Sequence, residues 1–219
     1  YWSIDYFRKI YRLSPKKSFM IPGPIDNSIT QTKAFDLSSF NSKRNLLDFY
    51  NISIKTKTIL FVGSYKYKGT KEMFELLKKI KKNNLEVKVF WISNSKTIRK
   101  NVSSSKYNDY VEFLDPVGRE ELVTLIKGVD FLFWSTSLGV GYGQIMLESI
   151  LCGTEILCYR PIGDARNFVE NNYYSNIDEV IRRLRDKIAP RKISIPKWMS
   201  EQRLKKEHII FFNNVLNNN

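Results

Sequence analysis

The sequence predicts an α/β protein built on a parallel sheet with crossover helices, and three observations carry that prediction. From Thr58 onward, strand-like apolar runs alternate with helix-like amphipathic runs, the signature of strands joined in parallel through helices. Gly128 and Gly153 stand where two helical runs should stop, since glycine readily takes the left-handed conformation that ends a helix. At 219 residues, with 42% hydrophobic and 14% aromatic residues, the chain is long and apolar enough for one good core.

The elements follow in order. The first fifty-odd residues hold a short amphipathic piece from Tyr6 to Leu13, an apolar SFMIPGP run, a polar stretch and a short helix at RNLLDFY. They make no complete unit, so residues 1–57 are taken as a lead-in strapped to the main domain. TILFVG (58–63) reads as a buried strand. TKEMFELLKKIKK (70–82) reads as an amphipathic helix, with Met73, Phe74, Leu77 and Ile80 on one face, lysines opposite and Thr70 as its cap. EVKVFWI is the next strand, residues 93–109 are polar and loop-like, and YVEFL (110–114) is a third strand. GREELVTLIKG, DFLFW, QIMLESILCG and EILCY then supply helix, strand, helix and strand. In IDEVIRRLRDKI, Ile177, Val180, Ile181, Leu184 and Ile188 form a helical stripe. The expected domain is 58–190, and a Pro-containing linker plus a final helix capped near Ser200 occupy 191–219, where Leu204, Phe211, Phe212 and Val215 could dock.

The formal net charge is +14 and the pI about 9.7, which favours phosphate-rich partners: nucleotides, nucleic acid or an anionic membrane surface. The lysine runs KKSF, KKIKK, RRLRDK and RLKKEH read as solvated faces. Cys152 and Cys158 lie on a helix end and a strand, with no partner cluster for a metal, and read as small buried residues of a reducing, cytoplasmic compartment. His208, in the last helix, reads as structural or surface. No run approaches the ~20 apolar residues that span a bilayer, and no signal-peptide pattern opens the chain. The sequence begins at Tyr1, which points to a fragment or a processed product.

Ligands of open parallel sheets bind beyond the carboxyl ends of the strands, where helix N-termini offer unpaired N–H groups and partial positive charge. Two loops suit phosphate there. In GSYKYKG, Gly63 admits close approach to the backbone and Lys66 or Lys68 offers an ammonium; the Walker pattern is absent, and a lysine-rich surface turn is the plainer reading. In LGVGYG, Gly139, Gly141 and Gly143 would open backbone amides at the start of QIMLESIL for a diphosphate, against the alternative of a flexible turn. Glu148, five residues into that helix, has Met146, Leu147, Ile150 and Leu151 around it. A carboxylate there is costly to desolvate unless it accepts hydrogen bonds; it accepts them from ribose hydroxyls, or it faces solvent.

Together these segments resemble a known family. TILFVGSYKYKGTKEMFELL, VEFLDPVGREELVTLIKGVDFLFWSTS and LGVGYGQIMLESILCGTEILCYRPIGDARNFVEN are similar to the C-terminal, donor-binding half of GT-B glycosyltransferases of the retaining family 4, or group 1, type. The resemblance covers residues 58 to 172, and SFMIPGPIDNSI and the last helix resemble that family's interdomain segment and returning helix. It implies a Rossmann-like parallel sheet with flanking helices, the C-terminal half of a GT-B enzyme.

For the site, the resemblance implies that Glu148 matches the second of the family's two spaced glutamates and holds the ribose of a nucleoside diphosphate sugar. The first glutamate falls on Val140, a departure near the reacting centre. Gly141, Tyr142 and Gly143 keep the turn, with Gln144 following as a donor-binding position. The diphosphate pair Gly-Arg and Lys-Gly falls on Gly63-Ser64 and Lys68-Gly69, so lysine is kept and arginine is lost to serine. The usual Gly-Thr-Pro is Gly153-Thr154-Glu155, and a later glutamate falls on Arg166. Lys68 and Glu148 are thus the implied catalytic positions, with no metal and no cofactor beyond the nucleotide sugar donor. The implied activity is a hexosyltransferase acting with retention on an unknown acceptor: a glycan, a lipid or a protein. An N-terminal domain or a dimer partner would complete it, and an anionic membrane could serve as a peripheral surface. The alternatives are a diverged non-catalytic nucleotide-binding protein and a basic nucleic-acid-binding α/β protein, the latter suggested by Tyr65 to Lys68.

Overall fold

The computed structural model describes residues 42–64, 68–135, 143–161, 165, 169 and 172–186. The elements in chain order are α1 (Ser42–Phe49), β1 (Lys57–Val62), α2 (Thr70–Lys82), β2 (Val87–Ile92), α3 (Lys96–Ser103), a 3-10 turn (Asn108–Tyr110) and β3 (Val111–Leu114). Then come α4 (Arg119–Gly128), β4 (Phe131–Trp134), α5 (Gln144–Leu151), β5 (Glu155–Cys158) and α6 (Ile177–Arg185). The five strands form one parallel sheet in the order β3-β2-β1-β4-β5. The α/β prediction therefore holds, with the parallel pairing and crossovers that the alternation implied. The expected amphipathic piece at Tyr6 to Leu13 and the final helix near Ser200 lie outside the described residues.

Two local expectations are corrected. Residues 93–109 are not all loop: Lys96–Ser103 is an α-helix, started by the Ser95 hydroxyl, which accepts from the Ile98 N–H. Only Val102 of that helix is buried and Ile98 is half-buried, so no apolar stripe announces it. Nor does Thr70 cap α2. It is the first helical residue, and Gly69 stands at the N-cap with φ 76°.

Strand residues alternate between the two faces of the sheet. Ile59, Phe61, Val89, Trp91, Phe131, Phe133 and Leu157 pack against α2, α3 and α6. Leu60, Phe90, Leu132, Ile156 and Cys158 pack against α4 and α5. Met73, Leu76, Leu77 and Ile80 of α2 are fully buried, each contributing on the order of 1.5–3 kcal/mol. The start of α6 is a capping box, in which the Asn176 side chain accepts from the Glu179 N–H and Glu179 reaches back to the Asn176 backbone.

One charged pair lies inside this packing. Glu155 opens β5, where the resemblance places a proline, and Arg183 of α6 donates to it through Nε and Nη2 at 2.8 and 2.6 Å. Both side chains are 2% exposed, and the guanidinium also lies over the Phe131 ring, 5.6 Å from its centroid. Phe131 and Glu155 are register partners, so a single arginine fastens α6 to two adjacent strands. The hydrogen bonds that Arg183 donates to Glu155 raise its pKa against the opposing effect of burial.

A close backbone approach fixes the loop after β1. A Cβ on Gly69 would stand 2.6 Å from the Ser135 carbonyl oxygen, just past the end of β4. Glycine is needed twice there, for the positive φ and for the contact.

Two stability predictions follow from this packing. Arg183→Met alone should cost about 3–5 kcal/mol in urea unfolding because it strands a buried carboxylate, whereas Glu155→Leu/Arg183→Met should recover most of that loss. Gly69→Ala should cost at least about 1–2 kcal/mol from the left-handed backbone alone. Gly118→Ala, at the N-cap of α4 with a negative φ and nothing within 4 Å of the added Cβ, should cost about 1 kcal/mol or less, from the weaker cap alone.

Candidate functional site

The strand order reverses between β1 and β4, the place where parallel sheets open a crevice at their carboxyl ends. Near their starts these two strands are tied: the Asp130 carboxylate accepts from the Thr58 N–H and hydroxyl at 2.8 and 3.0 Å, and the Asp130 N–H donates back to Thr58 Oγ1. Their ladder covers only Ile59↔Phe131 and Leu60↔Leu132. Where it stops, a cavity of about 330 Å³ begins, lined by Phe61, Val62, Phe133, Trp134 and Ser135 from the strand ends. Lys68, Leu122, Gly143, Gln144, Ile145 and Glu148 complete its wall. A wider, more open depression of about 630 Å³, bordered by Tyr173, Ser175 and α6, lies outside this crevice; topology and the convergence of helix starts favour the smaller cavity as the site.

The described residues that follow β1 make close contacts. Gly63 is buried, its carbonyl accepts from the Trp91 indole N–H at 2.8 Å, and a Cβ there would press on the Lys68 carbonyl oxygen at 3.0 Å. The Lys68 backbone thus lies against Gly63, and Lys68, exposed, lines the cavity. Ser64 stands where the family arginine would be, and its hydroxyl meets Ser93 Oγ at 3.0 Å. Arg99, a nearby guanidinium, does not substitute for that arginine. It donates to the carbonyls of Ser93 and Leu114 and to the Asp115 carboxylate, closing the ends of β2 and β3.

On the other wall, Gly143 precedes α5 and sits against Trp134, whose indole nitrogen would be 3.2 Å from any Cβ placed there. Gln144 is the first residue of the helix and is exposed. Glu148 is buried, its side chain 9% exposed, and its Oε1 pairs with Arg119 Nη2 at 3.8 Å. The sequence left Glu148 between a ribose and solvent; it lies in the cavity wall and not on a solvent face. Gly139, Val140, Gly141, Tyr142 and Arg166, with Tyr65 to Tyr67, lie outside the described residues.

Arg119 escaped the sequence reading. Its one signal was its place as the first residue of a helix, the positive end, where acidic residues are favoured and cations are not. Trp134 and Ser135 were also missed as site residues, having read simply as the end of an apolar strand. Burial pushes the Cys152 thiol up to about 11 and raises Cys158 further, so neither supplies a thiolate near neutrality. Among the described residues no group of three or more His, Cys, Asp or Glu could hold a metal ion, and no helix is long and apolar enough to cross a membrane.

Comparison with known proteins bears on this crevice. The structure is similar to WaaG, a glycosyltransferase involved in lipopolysaccharide biosynthesis, with 20% identity and a TM-score of 0.63 over 83% of this chain and 50% of that one. It is similar to Anabaena HepE in complex with UDP and glucose, with 13% identity and a TM-score of 0.70 over 93% and 58%. A glycosyltransferase from Rickettsia africae ESF-5 matches with 13% identity and a TM-score of 0.66 over 98% and 56%. At these identities the likeness is one of fold, and the chain spans about half the length of each. No curated protein matches the sequence. Residues 42–188, well over half of the chain, match the family described as glycosyl transferases group 1, and on that match, carried on a parallel sheet with its crevice between β1 and β4, the chain belongs to the group 1 glycosyltransferases.

Proposed function

We propose that this domain binds the nucleoside diphosphate sugar donor of a hexosyltransferase in the β1/β4 crevice. The observation that carries the reading is the placing of Lys68 and Glu148 in the wall of one cavity at the strand-order reversal, because a diphosphate needs a cation and a ribose needs a carboxylate acceptor. The starts of α2 and α5 stand beside it, and their positive ends favour the same anion. Lys68 meets the diphosphate and Glu148 accepts from the ribose hydroxyls. Gly63, Ser64, Gly141, Tyr142, Gly143 and Gln144 complete the donor contacts.

In the transfer, the bond between the anomeric carbon and the diphosphate oxygen breaks, and a hydroxyl oxygen of the acceptor takes the anomeric carbon with loss of its proton. Lys68 stabilises the charge that develops on the departing diphosphate, an interaction stronger in the transition state than in the ground state. Family membership supports retention of anomeric configuration. The acceptor and the group that takes its proton belong to a part of the enzyme beyond this domain, an N-terminal domain or a partner subunit. The solved structure of HepE with UDP and glucose supports a uridine nucleotide as the first donor to try.

The distribution of charge bears on the acceptor side. Lys71, Lys78, Lys81 and Lys82 of α2 and Lys96 and Lys100 of α3 are all exposed on one helical layer. In α4, on the other layer, Arg119 and Lys127 are offset by Glu120 and Glu121. This asymmetry supports a peripheral association with an anionic membrane surface, where each lysine near the bilayer adds about 1 kcal/mol at low salt.

Titration calorimetry with UDP, GDP, ADP and their sugar conjugates is expected to show saturable binding of one nucleotide. Glu148→Ala should weaken it by about 1–3 kcal/mol, and unchanged affinity would remove Glu148 from the site. Lys68→Ala should weaken the diphosphate far more than the free nucleoside; equal losses would mean that Lys68 does not meet phosphate. Binding of none of these nucleotides would overturn the donor reading. In a separate sedimentation assay, the protein should pellet with vesicles containing about a third phosphatidylglycerol and be released by 0.5 M salt, since exposed charges are screened within about a Debye length. Equal pelleting with pure phosphatidylcholine would count against the charged face.

A further inference from the structure

We propose that Arg119 is a positioning residue of the donor site, holding the Glu148 carboxylate in the cavity wall so that it meets the ribose hydroxyls. The inference rests on the donor reading above and adds a residue to it. Three observations carry it. The first is the ion pair itself, Arg119 Nη2 to Glu148 Oε1 at 3.8 Å, joining the first residue of α4 to the middle of α5. The second is the difference in burial: the Glu148 side chain is 9% exposed and that of Arg119 49%. A carboxylate withdrawn among Met146, Leu147 and Ile150, all buried, is costly without a charge partner, and the arginine reaches it from the rim.

The third is the location of the arginine. A cation at the first position of a helix is opposed by the helix dipole, and the next two residues, Glu120 and Glu121, have the sign that position favours. A residue that breaks a local rule is expected where a tertiary contact or a function compensates, and the compensating contact here is Glu148. Glutamate has three side-chain torsions, and a guanidinium charge within 3.8 Å favours those that keep the carboxylate beside it. Glu148 lines the cavity and Arg119 does not, so Arg119 acts through the carboxylate and not on the ligand.

The test is a double-mutant cycle on the 219-residue chain. Arg119→Gln, Arg119→Lys, Glu148→Gln and Arg119→Gln/Glu148→Gln are titrated with UDP, GDP and ADP and with inorganic pyrophosphate, and their unfolding temperatures are recorded. Arg119→Gln should weaken nucleoside diphosphate binding about tenfold, the scale of coupling between directly paired side chains, and leave pyrophosphate binding as it was. Arg119→Lys should recover part of the loss, and in the Glu148→Gln background the arginine substitution should cost nothing more. An equal loss with and without the Glu148 carboxylate, or an equal loss for pyrophosphate, would overturn the proposal, because the arginine would then act on the ligand or on the fold. Tighter nucleotide binding by Arg119→Gln would also overturn it, showing that the guanidinium competes with the ribose for Glu148. If the parent binds no nucleotide, or Glu148→Gln binds as the parent does, the donor reading itself fails. If Glu148→Gln is weakened and Arg119→Gln is not, only the role of Arg119 fails.

Discussion

Right-handed crossovers constrain everything else in this chain. A strand that feeds a helix and returns parallel to itself must keep one hand, so the helices that follow β1 and β2 fall on one face of the sheet. When the chain comes back to add β4 on the other side of β1, α4 and α5 fall on the opposite face. The helices that follow β1 and β4 pack on opposite faces, so a crevice opens between the carboxyl ends of these two strands. The crevice is therefore a consequence of the winding, and the residues around it come from the ends of β1 and β4, from Lys68 just before α2, and from α4 and α5.

Within that frame, close backbone contacts place the polar groups. Gly63 lets the Lys68 backbone fold over it, and Gly69 lets the same loop touch Ser135 across the crevice. The Trp91 indole holds Gly63 from below. These contacts place Lys68 at the cavity wall. The family arginine has no counterpart at this position: Ser64 is turned to Ser93, and Arg99 is committed to backbone carbonyls and Asp115.

Among the described residues two acidic side chains, Glu148 and Glu155, are buried, and each is paired with an arginine from a different helix. Glu155 and Arg183 are equally buried and bidentate, which suits a pair that joins α6 to the sheet. Glu148 and Arg119 are unequally buried and further apart, which suits the donor-site role proposed for this carboxylate. The same pairing chemistry occurs within the packing in one place and at the cavity wall in the other, and the difference is exposure.

Much of this was legible in the sequence. The strands at TILFVG, EVKVFWI, DFLFW and EILCY and the helix at 70–82 were set by apolar periodicity, because burial on one face or two leaves a local mark. Gly153 marked the end of α5 in the same way, by a left-handed conformation at φ 76°. Lys68 and Glu148 became candidates through resemblance, where spacing alone left each beside a plainer reading. Helix α3 was not legible, having one buried side chain and so no stripe. Nor were the partners of Glu148 and Glu155: Arg183 is 28 residues beyond Glu155, and Arg119 stood as one cation before two glutamates. Sequence periodicity records which face of an element is dry. Which two dry faces meet, and which charges they bring together, is decided only when the crossovers close the sheet.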